Sequence, residues 1–169
     1  MNFMRRKSYC TGMSNLILIM IITIRFSDGW IVPGTLWCGP GNISTGNYNL
    51  GILKGVDACC RDHDLCEDYI PGYGTKNNLR NPSRFTRLNC NCDDTFWSCL
   101  HAVKGIINGI KAATIGSIYF NALNRQCFRK DYPIVSCIKQ QFGRCLQYRM
   151  DVSRKRIYQW FDLQHFYLS

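Results

Sequence analysis

The segment Cys59-Cys60-Arg61-Asp62-His63-Asp64-Leu65-Cys66 puts one histidine and two carboxylates in a stretch that holds three cysteines. Wound as a helix, it sets Cys59 and His63 on one side and Cys60 and Asp64 on a neighbouring side, because residues four apart share a face. An imidazole held there suits general-base work, which needs a fixed tautomer and therefore an orienting carboxylate. Asp93, at the head of a second cysteine-flanked segment, is the candidate for that carboxylate. Asp64 suits a hard cation. Calcium accepts about six to eight oxygens, backbone carbonyls included, and Trp37-Cys38-Gly39-Pro40-Gly41 has the glycines to turn several carbonyls toward one point. Zinc is the rival reading, since Cys59, His63 and Cys66 with Cys90 or Cys92 can be written as a Cys/His site. It requires free thiolates.

The first 29 residues argue against free thiolates. Arg5, Arg6 and Lys7 precede the apolar run Leu16–Ile24, and Ser27 and Gly29 supply small residues before a cut near Trp30. This is the plan of a secretory signal peptide over residues 1–29, with room for a short pro-segment. A secreted, extracellular chain follows, with residues 30–169 as a single domain. Of eleven cysteines, all but Cys10 fall between Cys38 and Cys145, so cleavage leaves an even ten for a disulfide framework. Cleavage also leaves 17 basic and 10 acidic side chains from 21 and 11, net +7. Such a surface is drawn to anionic membranes. Nucleic acid is not expected, because no basic and aromatic stripe or recognised module accompanies the charge.

These residues need helices to hold them. Helix propensity covers Val56 to Asp68 and is stopped by Pro71-Gly72-Tyr73-Gly74; a second helix is predicted from about Cys92 to Val103. Gly105 and Gly109 are expected to interrupt it before a third helix over Ile110–Leu123, with Ile110, Ala113, Ile118 and Ala122 as its apolar side. Tyr132–Val135, Cys145–Val152 and Ile157–Leu163 read as strands, with a turn at Gln141-Phe142-Gly143-Arg144. The fold class is mainly α with a small antiparallel β-sheet. Cys59 to Cys66 and Cys92 to Cys99 both span seven residues, so two antiparallel helices can pair Cys59 with Cys99 and Cys66 with Cys92. Many other pairings of ten cysteines stay open. Asp62, Glu67, Asp68 and Asp94 read as solvated helix carboxylates, and His101 and His165 as surface histidines. Ser98 has no nucleophile-elbow setting.

The same residues resemble a known family. Trp37-Cys38-Gly39-Pro40-Gly41-Asn42, Asp57 through Cys66, Thr86 through Asp93, Tyr119-Phe120-Asn121 and Tyr158-Gln159-Trp160-Phe161-Asp162 are similar to the calcium loop, helices and strand of secreted phospholipases A2 of group III, the bee-venom type. The resemblance covers nearly all of Ile31–Leu163. It implies Ca²⁺ on the carbonyls of Trp37, Gly39 and Gly41 and the Asp64 carboxylate. It implies His63 as base, Asp93 as its partner, Tyr119 as a donor to Asp93, and the Gly39 N–H at the oxyanion. It further implies the bridges Cys38–Cys60, Cys59–Cys99, Cys66–Cys92, Cys90–Cys127 and Cys137–Cys145. About three extra residues between Cys99 and Tyr119 are expected to bulge between helices.

The implied activity is calcium-dependent hydrolysis of the sn-2 ester of glycerophospholipids by a monomer at a membrane or micelle surface, with Ile31, Val32 and Tyr73 as candidates for an apolar rim. A weak or inactive phospholipase-like toxin or receptor ligand is the alternative, against which the intact His63, Asp64 and Asp93 argue. A growth-factor-like disulfide protein would fit the cysteines and the leader but gives no reason for those three residues. Asn42-Ile43-Ser44 is an expected N-glycosylation site.

Overall fold

A computed structural model describes residues 30–123 and 126–167. The leader expected over Met1–Gly29, with Cys10, lies outside the described residues. The described secondary structure belongs to one unit, Ile31–Ser169.

Helix α1 (Lys54–Asp64) buries Val56, Asp57, Cys59 and Cys60. It stops before the expected Asp68, because Tyr69–Ile70 leaves as an extended strand, β1, that pairs antiparallel with β4 (Arg87–Leu88). Tertiary pairing outweighs the helix propensity of this segment. Between these strands a small hairpin joins β2 (Thr75–Lys76) to β3 (Leu79–Arg80). Helix α2 (Cys90–Ala102) is capped by Asn89, whose side chain accepts the Asn91 N–H at 3.0 Å. Asp68 anchors that cap. Its carbonyl accepts the Asn89 N–H, and its carboxylate accepts Asn89 Nδ2 at 2.7 Å and pairs with Lys76 at 2.9 Å. Asp68 is thus a structural group beyond α1 and not a solvated helix carboxylate. Burial pulls its pKa up, but the bonds from Lys76 and Asn89 prevail and hold it below the usual value.

Gly105, at φ +90°, separates α2 from α3 (Ile106–Gly116), while Gly109 lies inside α3 and does not break it. From Ser117 to Leu123 the coil continues as a π-helix. Its wider turn takes up additional residues within a helix without a loop. The buried face here is Ala112, Gly116 and Phe120, four residues apart, and not the expected Ile110, Ala113, Ile118 and Ala122. Small residues win the inner face because the chain returns beneath them: Phe166 is buried against Gly116, Trp97, His101 and Phe120.

The strands form separate antiparallel pairs rather than one sheet. β5 (Gln126–Asp131) pairs with β8 (Ile157–Asp162), matching Cys127 to Phe161 and Phe128 to Trp160. β6 (Ile134–Gln141) and β7 (Arg144–Met150) make a hairpin whose two turn residues, Phe142 and Gly143, both have positive φ. That geometry suits the right-handed twist of the strands. Gln126–Asp131 has no strong sequence signal as a strand; the Cys90–Cys127 bridge and pairing with β8 make it one.

The C-terminal tail, set apart in sequence only by its aromatic residues, is fastened in place. Asn121 mimics a backbone partner, donating to Phe166 O and accepting from Phe166 N, both at 2.9 Å. His101 is not a free surface histidine: its two ring nitrogens lie 2.8 Å from Trp97 O and 2.7 Å from Tyr167 O. His165 meets Asn121 Oδ1 at 3.3 Å, and its carbonyl accepts the Trp97 indole N–H.

Packing at Gly116 gives a paired test. A Cβ there would sit 2.6 Å from the Phe166 ring, whereas one at Gly109 meets nothing within 4 Å. Gly109→Ala should raise stability by up to about 1 kcal/mol through helix propensity, while Gly116→Ala should lower it by about 1–3 kcal/mol through overpacking. Urea unfolding of both variants checks the opposite signs.

Candidate active site

Helices α1 and α2 lie side by side, joined by Cys59–Cys99 and Cys66–Cys92 with Cα separations of 5.7 and 6.2 Å. Two bridges seven residues apart on each strand of the pair fix the register. Between them His63 Nε2 meets Asp93 Oδ1 at 3.0 Å. Asp93 is fully buried and takes a second bond on the same oxygen, donated by the Tyr119 hydroxyl at 2.7 Å. A carboxylate at Nε2 draws the ring proton to that nitrogen, which leaves the Nδ1 lone pair as the proton acceptor.

The imidazole is also held by packing. Its ring stacks on Phe96 at 4.2 Å and meets the edge of Tyr119 at 4.8 Å, and Phe96 and Tyr119 contact each other. Phe96 was not singled out from the sequence. Its signal was there: three residues beyond Asp93, it shares that residue's helix face. A cleft of about 230 Å³ lined by His63, Phe96, Asn91 and Thr95 opens beside the ring. Asp62, next in sequence, is exposed and pairs with Arg61 at 2.7 Å.

The loop before α1 approaches the same end of the site through Cys38–Cys60. Trp37 is buried, and Gly39, Pro40 and Gly41 are exposed, Gly41 at φ +85°. Among the described residues no hydrogen bond engages the Gly39 or Gly41 carbonyl, while Trp37 O accepts the Gly39 N–H at a long 3.2 Å. Asp64, the last residue of α1, is exposed. Desolvation is the main cause of its carboxyl being raised to about 6; the neighbouring His63 lowers it and Asp57 raises it. A carboxylate on α1 and carbonyls without hydrogen-bond partners on the loop tied to α1 by Cys38–Cys60 are the donor types a hard cation takes. Among the described residues no cluster of three or more His, Cys, Asp or Glu side chains offers a different metal site, and Cys59, Cys66, Cys90 and Cys92 are in disulfides, which removes the zinc alternative.

Cys90–Cys127 and Cys137–Cys145 complete five bridges. Asn42 is exposed in the loop that follows Gly41, its Oδ1 accepting the Ser44 N–H at 3.3 Å. Asp57, quoted above only as part of a motif, turns out to be buried and bonded to three backbone N–H groups.

A family model described as Phospholipase A2 matches residues 31–131. A protein named Phospholipase A2 from Bombus pensylvanicus is 50% identical over 135 residues, spanning 79% of this chain and 97% of that protein. One of the same name from Apis mellifera is 43% identical over 136 residues, 80% of each chain. Phospholipase A2 heteromtoxin from Heterometrus laoticus is 42% identical over 102 residues, 60% of each.

The Tyr119 contact predicts a measurable stability term. Tyr119→Phe keeps the ring against His63 and Phe96 and deletes one bond to a buried carboxylate, so it should cost roughly 1.5–3 kcal/mol. Urea unfolding checks it; a loss below about 0.5 kcal/mol, short of any net hydrogen-bond contribution, would contradict the geometry.

Proposed function

As the chain belongs to the phospholipase A2 family in its group III, bee-venom type, we propose that it hydrolyses the sn-2 ester of glycerophospholipids with Ca²⁺, releasing a fatty acid and a lysophospholipid. The observation that carries this reading is His63, bonded through Nε2 to the buried Asp93, with no hydrogen bond at Nδ1 among the described residues. His63 Nδ1 takes a proton from water, and that water attacks the ester carbonyl. Asp93 keeps the ring in the required tautomer and stabilises the imidazolium that forms; Tyr119 holds the carboxylate in place. His63 then returns the proton to the departing glycerol oxygen, so no acyl-enzyme is needed.

Trp37, Gly39 and Gly41 carbonyls with the Asp64 carboxylate would hold Ca²⁺, which when bound supplies positive charge for the ester oxygen and the phosphate. The Gly39 N–H, whose bond to Trp37 O is long, is the donor we assign to the oxyanion. Secretion, carbohydrate at Asn42 and a monomeric state are parts of the same proposal; a chain with five disulfides suits an oxidising compartment.

For the lipid surface, the exposed apolar residues differ from those first considered. Val32 is buried in the core and Ile31 half-buried, while Tyr73 is exposed. Ile106, 84% exposed, with Ile107 and Ile110 forms an apolar ridge on α3 beside Lys111, and α3 meets the start of α1 where Gly55 approaches Asn108. We assign this ridge to an anionic phospholipid interface.

Three measurements test the reading. His63→Gln should lower hydrolysis by roughly 100- to 10,000-fold, Asp93→Asn by less; normal turnover by folded H63Q would rule out His63 as the base. Asp64→Asn should abolish calcium binding in calorimetry, and chelator should stop turnover. Ile106→Ser with Ile110→Ser should weaken binding to anionic vesicles about tenfold or more, as burial of each side chain is worth about 1.5–3 kcal/mol, and spare hydrolysis of a monomeric short-chain lipid.

A further inference from the structure

Asp57 is a carboxylate with no solvent exposure in the first turn of α1, apart from the His63–Asp93 pair. An anion can be buried there because three backbone N–H groups converge on it. Trp37 N donates to Oδ1 at 2.8 Å, Gly51 N to Oδ2 at 2.7 Å, and Leu36 N to both oxygens at 3.0 Å. The donors come from both sides of the loop that carries the Trp37, Gly39 and Gly41 carbonyls. Because each peptide is planar with its C=O opposed to its N–H, turning the Leu36 and Trp37 N–H groups inward turns the preceding carbonyls outward. Leu36 O then accepts Ile43 N at 2.9 Å, which closes the far side of the loop.

The helix supplies the remaining link. Asp57 and Asp64 are seven residues apart, two turns along one face of α1. One rigid face therefore carries both the carboxylate bonded to the loop and, two turns on, Asp64. Cys38–Cys60 ties the loop to the same helix covalently.

We propose that Asp57 is a positioning residue for Ca²⁺, holding the Trp37–Gly41 carbonyls in register with Asp64. The proposal rests on the calcium reading above.

Calcium titration by calorimetry of wild type and Asp57→Asn, with calcium dependence of turnover, tests it. The amide keeps the shape but turns an NH2 toward a backbone N–H, leaving a buried donor without its acceptor. Calcium affinity should weaken about tenfold or more, and the calcium needed for half-maximal turnover should rise by the same factor. At saturating calcium, kcat should stay within about threefold of wild type. A folded D57N with a lower melting temperature but unchanged calcium constants would overturn the proposal, because filling the core is then its whole role. Failure of wild type to bind calcium would remove the calcium reading itself and the proposal with it. Should D57N not fold, amide exchange of the calcium-free wild type decides: core-level protection of Leu36, Trp37 and Gly51 supports the anchoring, and exchange at loop rates overturns it.

Discussion

The geometry of this site depends on keeping a buried carboxylate, Asp93, in contact with an imidazole from another helix. Removing a carboxylate from water is costly, and the cost is offset here by donors that approach from two elements, His63 on α1 and Tyr119 on the π-helical segment. Neither donor is useful if the helices slide. A shift of about 1 Å in a catalytic contact can cost roughly 100-fold in rate, which gives the two cross-helix disulfides a role beyond stability. Cys59–Cys99 and Cys66–Cys92 bracket the contact and limit sliding in both directions.

The same logic extends to the far end of the chain. Tyr119 sits in the π-helical segment, and its neighbours Phe120 and Asn121 are held by Phe166, through ring stacking and paired backbone bonds. The tail in turn meets α2 through Trp97 and His101. Tail, π-segment and α2 therefore form a closed loop of contacts behind Asp93. Gly116 lets this happen: an isoleucine-rich helix would ordinarily bury its largest side chains, but a small face allows Phe166 to pass beneath, and Ile106, Ile107 and Ile110 are left outward.

Much of the site was legible because it is written in local spacing. The seven-residue intervals between cysteines, a histidine between them and a carboxylate at the partner helix's head lead to the α1–α2 pair and the His63–Asp93 contact without any knowledge of the rest. What escaped is what depends on distant partners. Phe96 carries no chemical label, although its offset from Asp93 places it under His63. The inner face of α3 could not be read from hydrophobicity, since Phe166 decides it from 50 residues downstream of Gly116. Strand β5 exists through Cys90–Cys127 and its pairing with β8. His101 and His165 looked unpartnered because their partners are backbone atoms and an amide in the tail and the π-segment.

Asp57 and Asp93 show how two buried carboxylates in one helix pair come to differ in use. Asp57 has both oxygens filled by backbone N–H groups, which cannot titrate and move only with the chain. These bonds tie Asp57 to the loop and not to a titrating partner. Asp93 accepts from an imidazole and a phenol on Oδ1, while Oδ2 has no hydrogen-bond partner among the described residues. Arg87, on β4, faces the same carboxylate electrostatically. The difference follows from which groups surround each carboxylate, since both are equally buried.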